Sequence, residues 1–258
     1  MLSLRLAPKL DELILANQSA FIKGRTIHDC FRMVQLTCRW LMQKKMSTVF
    51  LKIDLARAFD SVSWQFLLEL LESLGFSRRW RDWLAGLLFL ASSKVLLNGQ
   101  PGRRICHARG LRQGDPLSPM LFVIVMDVLN RMIMLADAEG SFSAIGGNFL
   151  GRRVSLYADD LVLFVKPRRV DLVVLVAVLD CFAGASGLCT NADKCSVTPI
   201  CCFDEELCLV QSVLGGRIAH FPCNYLGVPL SFKKLLRASE QLLVDKWLLG
   251  SLNGKVIC

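Results

Sequence analysis

The sequence predicts an α+β fold, an antiparallel sheet backed by helices, and three observations lead there. Apolar, β-branched runs of strand length recur, notably Ser47–Leu55 and the residues on either side of Tyr157-Ala158-Asp159-Asp160. Segments with helical apolar spacing separate them, from Trp64–Leu74 to Val170–Phe182. Tight-turn signals at Asn98-Gly99-Gln100-Pro101-Gly102 and Ala158-Asp159-Asp160 join neighbouring strands directly, which is antiparallel pairing.

In chain order, Leu2–Asn17 reads as the tail of a helix and Ser47–Leu55 (STVFLKIDL) as a buried strand. Trp64–Leu74 and Trp80–Leu90 are helices parted by the stop at Gly75, and Val95–Gly110 is a hairpin. Leu117–Ala136 is a strongly apolar helix. Asp127, Asn130 and Arg131 interrupt that run, and Leu172–Leu179 is too short, so neither is read as a membrane span. Phe149–Val165 forms two strands about the Ala158-Asp159-Asp160 turn, and Val170–Phe182 is helical. Short strands follow at Ser196–Ile200 and Tyr225–Leu230, then a helix at Leu235–Leu249.

With 258 residues, 53% of them hydrophobic, the chain can bury the core of one or two packed domains. Its charge is uneven. Residues 1–120 carry 18 Lys/Arg against 9 Asp/Glu, a net of +9, whereas 121–258 carry 13 of each. A basic half beside an acidic site suits a polyanion; a solvated basic surface is the plainer alternative. Eleven cysteines without a secretory leader read as reduced thiols, hence an intracellular protein. Cys189, Cys195, Cys201, Cys202 and Cys208 cluster but form no CxxC pair, so thiols are favoured over a zinc site.

The chemistry concentrates in carboxylates. Asp159 and Asp160 stand together between the apolar runs Val154-Ser155-Leu156 and Leu161-Val162-Leu163-Phe164-Val165. At a few ångströms and an effective dielectric of about 20, such a pair repels by about 4 kcal/mol, so cations or water must neutralise it. A solvated turn in an ordinary hairpin is the bland alternative. A second strand, Leu51-Lys52-Ile53-Asp54, also ends in a carboxylate. If the strands are neighbours, Asp54 joins the pair, and three carboxylates can hold two Mg²⁺ about 3.5–4 Å apart, the spacing that clamps an in-line phosphoryl displacement. Oxygen ligands without His or Cys favour magnesium over zinc, with Mn²⁺ as an alternative. Gly110-Leu111-Arg112-Gln113-Gly114-Asp115-Pro116-Leu117-Ser118-Pro119 adds a flexible loop with a cation and an amide before an apolar helix. Such a loop can lie against an incoming nucleotide and its template, and it is equally a turn and helix start.

Taken in order, DLARAFD (Asp54–Asp60), GLRQGDPLSP (Gly110–Pro119) and YADD (Tyr157–Asp160) resemble the palm motifs of a reverse transcriptase. NQSAFIKGRTIHD (Asn17–Asp29), SGLCTNADK (Ser186–Lys194) and YLGVPL (Tyr225–Leu230) resemble the non-LTR, LINE-type retrotransposon branch, particularly its plant members, rather than maturases or telomerases. The resemblance covers nearly the whole chain. It implies a polymerase palm, an antiparallel sheet backed by helices, spanning about 47–75 and 117–230. Partial fingers would span about 1–46 and 76–116, and the start of a thumb 231–258.

It also implies roles. Asp54, Asp159 and Asp160 would bind two Mg²⁺. Phe59 would be the steric gate that excludes a 2′-hydroxyl, or simply a core aromatic. Arg112, Gln113 and Gly114 would meet the incoming nucleotide, with Gly114 admitting close backbone approach. Lys194 would act as a general acid at the pyrophosphate, or be a solvated lysine. Tyr225, Leu226 and Gly227 would grip the primer, and Arg25 would be a phosphate-positioning or structural residue on the template side. The implied partners are an RNA template, a DNA primer and deoxynucleoside triphosphates, in the nucleus; oligomeric state is left open. The family places triphosphate-gripping motifs before the point where this chain starts and a fuller thumb after it. The expectation is therefore a truncated copy, weakly active alone, or a catalytically silent nucleic-acid-binding remnant.

Overall fold

A computed structural model describes residues 1–146 and 153–232. Short helices α1 (Leu2–Leu6) and α2 (Leu10–Leu13) flank a 3₁₀ turn, and are followed by α3 (Ile27–Gln43) and β1 (Thr48–Ile53). Next come α4 (Ala58–Ser61), α5 (Trp64–Ser73), α6 (Arg78–Phe89), a hairpin of β2 (Ser92–Leu97) and β3 (Gln100–Cys106), and α7 (Ser118–Ala138). The chain continues through β4 (Val154–Tyr157), β5 (Asp160–Val165), α8 (Arg169–Ser186), β6 (Ser196–Ile200), α9 (Asp204–Leu214) and β7 (Arg217–Ile218). It closes with a hairpin of β8 (Cys223–Tyr225) and β9 (Val228–Leu230).

The central sheet has the order β4-β5-β1-β6-β7, antiparallel except between β6 and β7. Alternation along β1 and β5 divides it into two faces. Val49, Leu51, Ile53, Leu161, Leu163 and Val165 pack with the apolar faces of α5, α7 and α8. The other face carries Phe50, Val162 and Phe164, covered by α3 through Cys30, Val34, Cys38 and Leu41 and by the β8–β9 hairpin through Tyr225 and Leu230. Each such side chain, when fully buried, contributes about 1.5–3 kcal/mol. Lys52 on that face is only half-buried, and beyond it Asp54 and Asp160 are partly exposed and Asp159 is exposed, so this end of the sheet is open to solvent. The outer edge of β4 is closed by the strand-like segment Asn17–Ser19: Leu156 N–H donates to Asn17 O at 3.0 Å and Ser19 N–H to Leu156 O at 3.1 Å. β7, at the opposite edge, is two residues long.

The helix α7 is long and apolar enough to cross a membrane, but here it is the core helix, with every residue from Leu121 to Asp127 buried. Its polar interruptions are used internally. Asp127 accepts from Leu15 N–H and Arg131, and Asn130 pairs with Asn17.

Three differences from the sequence reading stand out. The helix expected over Leu2–Asn17 breaks at Ala7–Lys9, where Pro8 sits, and ends at Leu13 because Ile14 is extended. The helix α3 was not anticipated, although Thr26 caps it by accepting from Asp29 N–H and Cys30, Val34, Thr37, Cys38 and Leu41 line its buried face. The short helix α9 and strand β7 were also unanticipated; α9 opens with Asp204, Glu205 and Glu206, favourable at a helix N-terminus. The helix expected at Leu235–Leu249 lies outside the described residues, as does nearly all of the proposed thumb segment, 231–258.

Candidate active site

β1 and β5 pair with Ile53 opposite Leu161, so continuing the register by one residue sets Asp54 opposite Asp160. Asp159 lies between, in the two-residue turn that joins β4 to β5, where Tyr157 pairs with Asp160. Ala158, the first residue of the turn, has φ +56, a position where glycine is usual. The fold thus brings all three carboxylates to the open end of the sheet. Lys52 Nζ stands 3.1 Å from Asp160 Oδ1. Partial burial pushes the Asp159 carboxyl above its usual range; its own backbone hydrogen bond lowers it, and Asp160 and Asp54 push it up further.

Asp54 is fixed by its backbone. Asn191 N–H donates to Asp54 O at 2.8 Å, Ala56 N–H donates to Cys189 O at 2.8 Å, and Asp54 N–H points at Cys195 Sγ at 3.4 Å. Burial pushes the Cys195 thiol up, so it stays protonated beside Asp54. Lys194, exposed, belongs to the turn that makes these contacts.

After Asp54 the chain enters α4 through Arg57 at φ +50. Phe59 is half-buried and stacks on Phe122, centroids 4.4 Å apart at 17°. The loop at Gly110 is stitched to this element: Leu111 N–H donates to Phe59 O (2.6 Å), Gly110 N–H to Val62 O (2.8 Å) and Trp64 Nε1–H to Gly110 O (2.6 Å). Gly110 has φ +87, and a Cβ there would stand 2.6 Å from Asp60 O, so no other residue fits. Gln113 donates to Asp60 Oδ1 at 3.4 Å, and Arg112, Gln113 and Gly114 are exposed beside it. Gly114 also has φ +87 but meets nothing within 4 Å.

The β8–β9 hairpin turns at Leu226 (φ +50) and Gly227 (φ +78). Tyr225 roots it. Its buried hydroxyl lies 3.3 Å from Cys30 Sγ and 3.2 Å from Ser155 Oγ, and desolvation raises its pKa strongly. The two readings of Arg25 separate here. Its guanidinium donates to the carbonyls of Ile14, Leu15 and Gln18 and pairs with Asp11, so it staples the N-terminal loop rather than waiting for a phosphate. Gln18, which sequence reasoning passed over, is buried against Ala158 of the carboxylate turn.

Among the described residues no three acidic, His or Cys side chains form a ready-made metal cage. The donor set nevertheless suits a hard divalent cation, because Asp54, Asp159 and Asp160 bring carboxylate oxygens to one end of the sheet.

Residues 1–230 match the family described as Reverse transcriptase (RNA-dependent DNA polymerase). The chain is 31% identical over 193 residues to a retrovirus-related Pol polyprotein from the type-2 retrotransposable element R2DM of Drosophila melanogaster, covering 75% of this chain and 18% of that protein. It is 29% identical over 203 residues to an uncharacterized 149 kDa protein of transposon TX1 from Xenopus laevis, covering 76% and 15%. The chain therefore spans less than a fifth of either relative. Its fold resembles that of telomerase from Candida albicans, solved with a fragment of telomeric RNA, with a TM-score of 0.55, 14% identity, and coverage of 76% of this chain and 34% of the telomerase.

Proposed function

The chain belongs to the reverse transcriptase (RNA-dependent DNA polymerase) family, and on that premise we propose that it supplies the catalytic palm for RNA-templated DNA synthesis by a non-LTR, LINE-type element. The observation that carries the reading is the meeting of Asp54 with Asp159 and Asp160 at the open end of one sheet. In this reading residues 47–75 and 117–230 serve as palm, and 1–46 and 76–116 as part of the fingers.

Asp54, Asp159 and Asp160 would hold two divalent cations, Mg²⁺ or Mn²⁺. When bound, such cations stabilise charge on the attacking 3′-hydroxyl oxygen and on the departing pyrophosphate. Lys52, ion-paired with Asp160, holds that carboxylate near β1. Phe59, stacked on Phe122, would lie against the sugar of an incoming nucleotide. Arg112 and Gln113 supply a cation and an amide to that nucleotide. Lys194 is assigned proton donation to the pyrophosphate, its turn being tied to the Asp54 backbone. The β8–β9 hairpin supports the primer end, and RNA template, DNA primer and deoxynucleoside triphosphates are the substrates.

Primer extension on an RNA template with Mg²⁺, by the polymerase that contains this chain, tests the assignment. Asp54→Asn and Asp159→Asn should each lower the rate at least about a hundredfold while the protein stays folded. Variants that extend at the wild-type rate would remove the site.

A further inference from the structure

Gln18 has no part in the chemistry above, yet it touches the turn on which that chemistry depends. Its side chain is completely buried. Its Oε1 accepts from Ala158 N–H at 3.1 Å and from Ala20 N–H at 3.0 Å, and its Nε2 donates to Ala158 O at 3.4 Å. One amide therefore engages both peptide groups of Ala158. That residue has φ +56, a conformation costly for a side chain with a Cβ and retained only where the surroundings over-determine it.

The brace is itself anchored. Asn17 and Asn130 exchange side-chain hydrogen bonds at 2.7 and 2.6 Å, which ties the segment to α7. On the other side, Arg25 donates to Gln18 O at 2.7 Å. Asn17 and Ser19 pair with Leu156 in the strand that leads into the turn. Gln18 is thus held on the core helix, on the N-terminal loop and on β4, with its amide aimed at one residue. A buried amide costs free energy unless its polar atoms are satisfied, and here Oε1 has Ala158 and Ala20 as donors and Nε2 has Ala158 O as acceptor.

We propose that Gln18 is a positioning residue whose amide, by engaging both peptide groups of Ala158, sets the angle at which Asp159 and Asp160 are presented to divalent cations. This rests on the function proposed above. The effect passes through the backbone, as it does for outer groups that orient metal ligands.

Gln18→Met tests it, because methionine keeps the length and bulk but forms neither hydrogen bond strongly. Hydrogen exchange should show the Ala158 amide opening roughly five- to tenfold faster in Gln18→Met, with Leu163 unchanged. Mn²⁺ affinity, read from free Mn²⁺ by electron paramagnetic resonance, should weaken roughly tenfold or more in Gln18→Met. In an Asp159→Asn background the same substitution should cause little further loss. Wild-type exchange and Mn²⁺ affinity in Gln18→Met would overturn the proposal. So would an Mn²⁺ loss that persists in full without Asp159, since that marks general damage to the fold. If Mn²⁺ binding by the wild type ignores Asp159→Asn, the metal site itself fails and this proposal with it; failure of Gln18→Met alone leaves the site standing.

Discussion

Asp159 binds its proton more tightly in the folded chain than in the unfolded one, first because it is partly desolvated and then because Asp160 and Asp54 are close. A raised carboxyl contributes stability that is fully present below its ordinary value of 3.8 and is lost as pH rises through the folded value. Metal-free wild type should therefore lose stability relative to Asp159→Asn as pH climbs from about 4 through the weakly acidic range. Mg²⁺ should reverse the loss by favouring the charged form. Urea melts of both proteins across that range check the sign, and a flat difference overturns the assignment. Phe59 separates two roles in a similar way. Stacked on Phe122 but only half-buried, it should cost about 2 kcal/mol as Phe59→Ala. If it also gates the sugar, Phe59→Val should raise ribonucleotide incorporation in extension assays, and an unchanged sugar preference in a folded variant rejects the gate.

Two glycines in one loop divide the work of that element. Gly110→Ala forces a Cβ against the Asp60 backbone at φ +87 and should destabilise by more than about 2 kcal/mol. Gly114→Ala shares the φ but meets nothing within 4 Å, so it should cost only about 1 kcal/mol. If the nucleotide approaches Gly114, that mild variant should still lose much of its extension rate. Thermal melts beside extension assays distinguish the two, and equal stability losses would show that the loop is not stitched as described. The elements themselves were legible to differing degrees. β1, β5 and their turn could be read because unbroken apolar runs bounded by carboxylates leave few other places to go. The signal for α3 was present in Thr26, Asp29 and the three-to-four spacing of Cys30, Val34, Cys38 and Leu41, but its mixture of Cys, Thr and Met masks the stripe. The brace by Gln18 was not legible at all. Its partner lies 140 positions away, and no local pattern marks a buried amide as belonging to a distant turn.

Across the whole molecule, the excess positive charge lies in residues 1–120. Arg103, Arg104 and Arg112 are exposed on the β3 strand and the neighbouring loop, whereas the Arg25 guanidinium is spent inside the fold. Affinity for an RNA–DNA hybrid should fall steeply with log salt, and reversing Arg103, Arg104 and Arg112 to Glu should flatten that slope. Arg25→Glu should instead lower the melting temperature. Titrations at several salt concentrations test this, and an unchanged slope in the triple variant would move the footprint elsewhere.

The segment Asn17–Ser19 has a further consequence, for how the protein behaves in company. A sheet with a bare outer strand is a template on which another chain can add its own strand, the first step toward aggregation. Here the peptide groups of Leu156 are already taken by Asn17 and Ser19, and the opposite border is too short to nucleate pairing. A change that frees this segment, such as Asn130→Ala at its anchor on α7, would expose β4 and open a route to self-association.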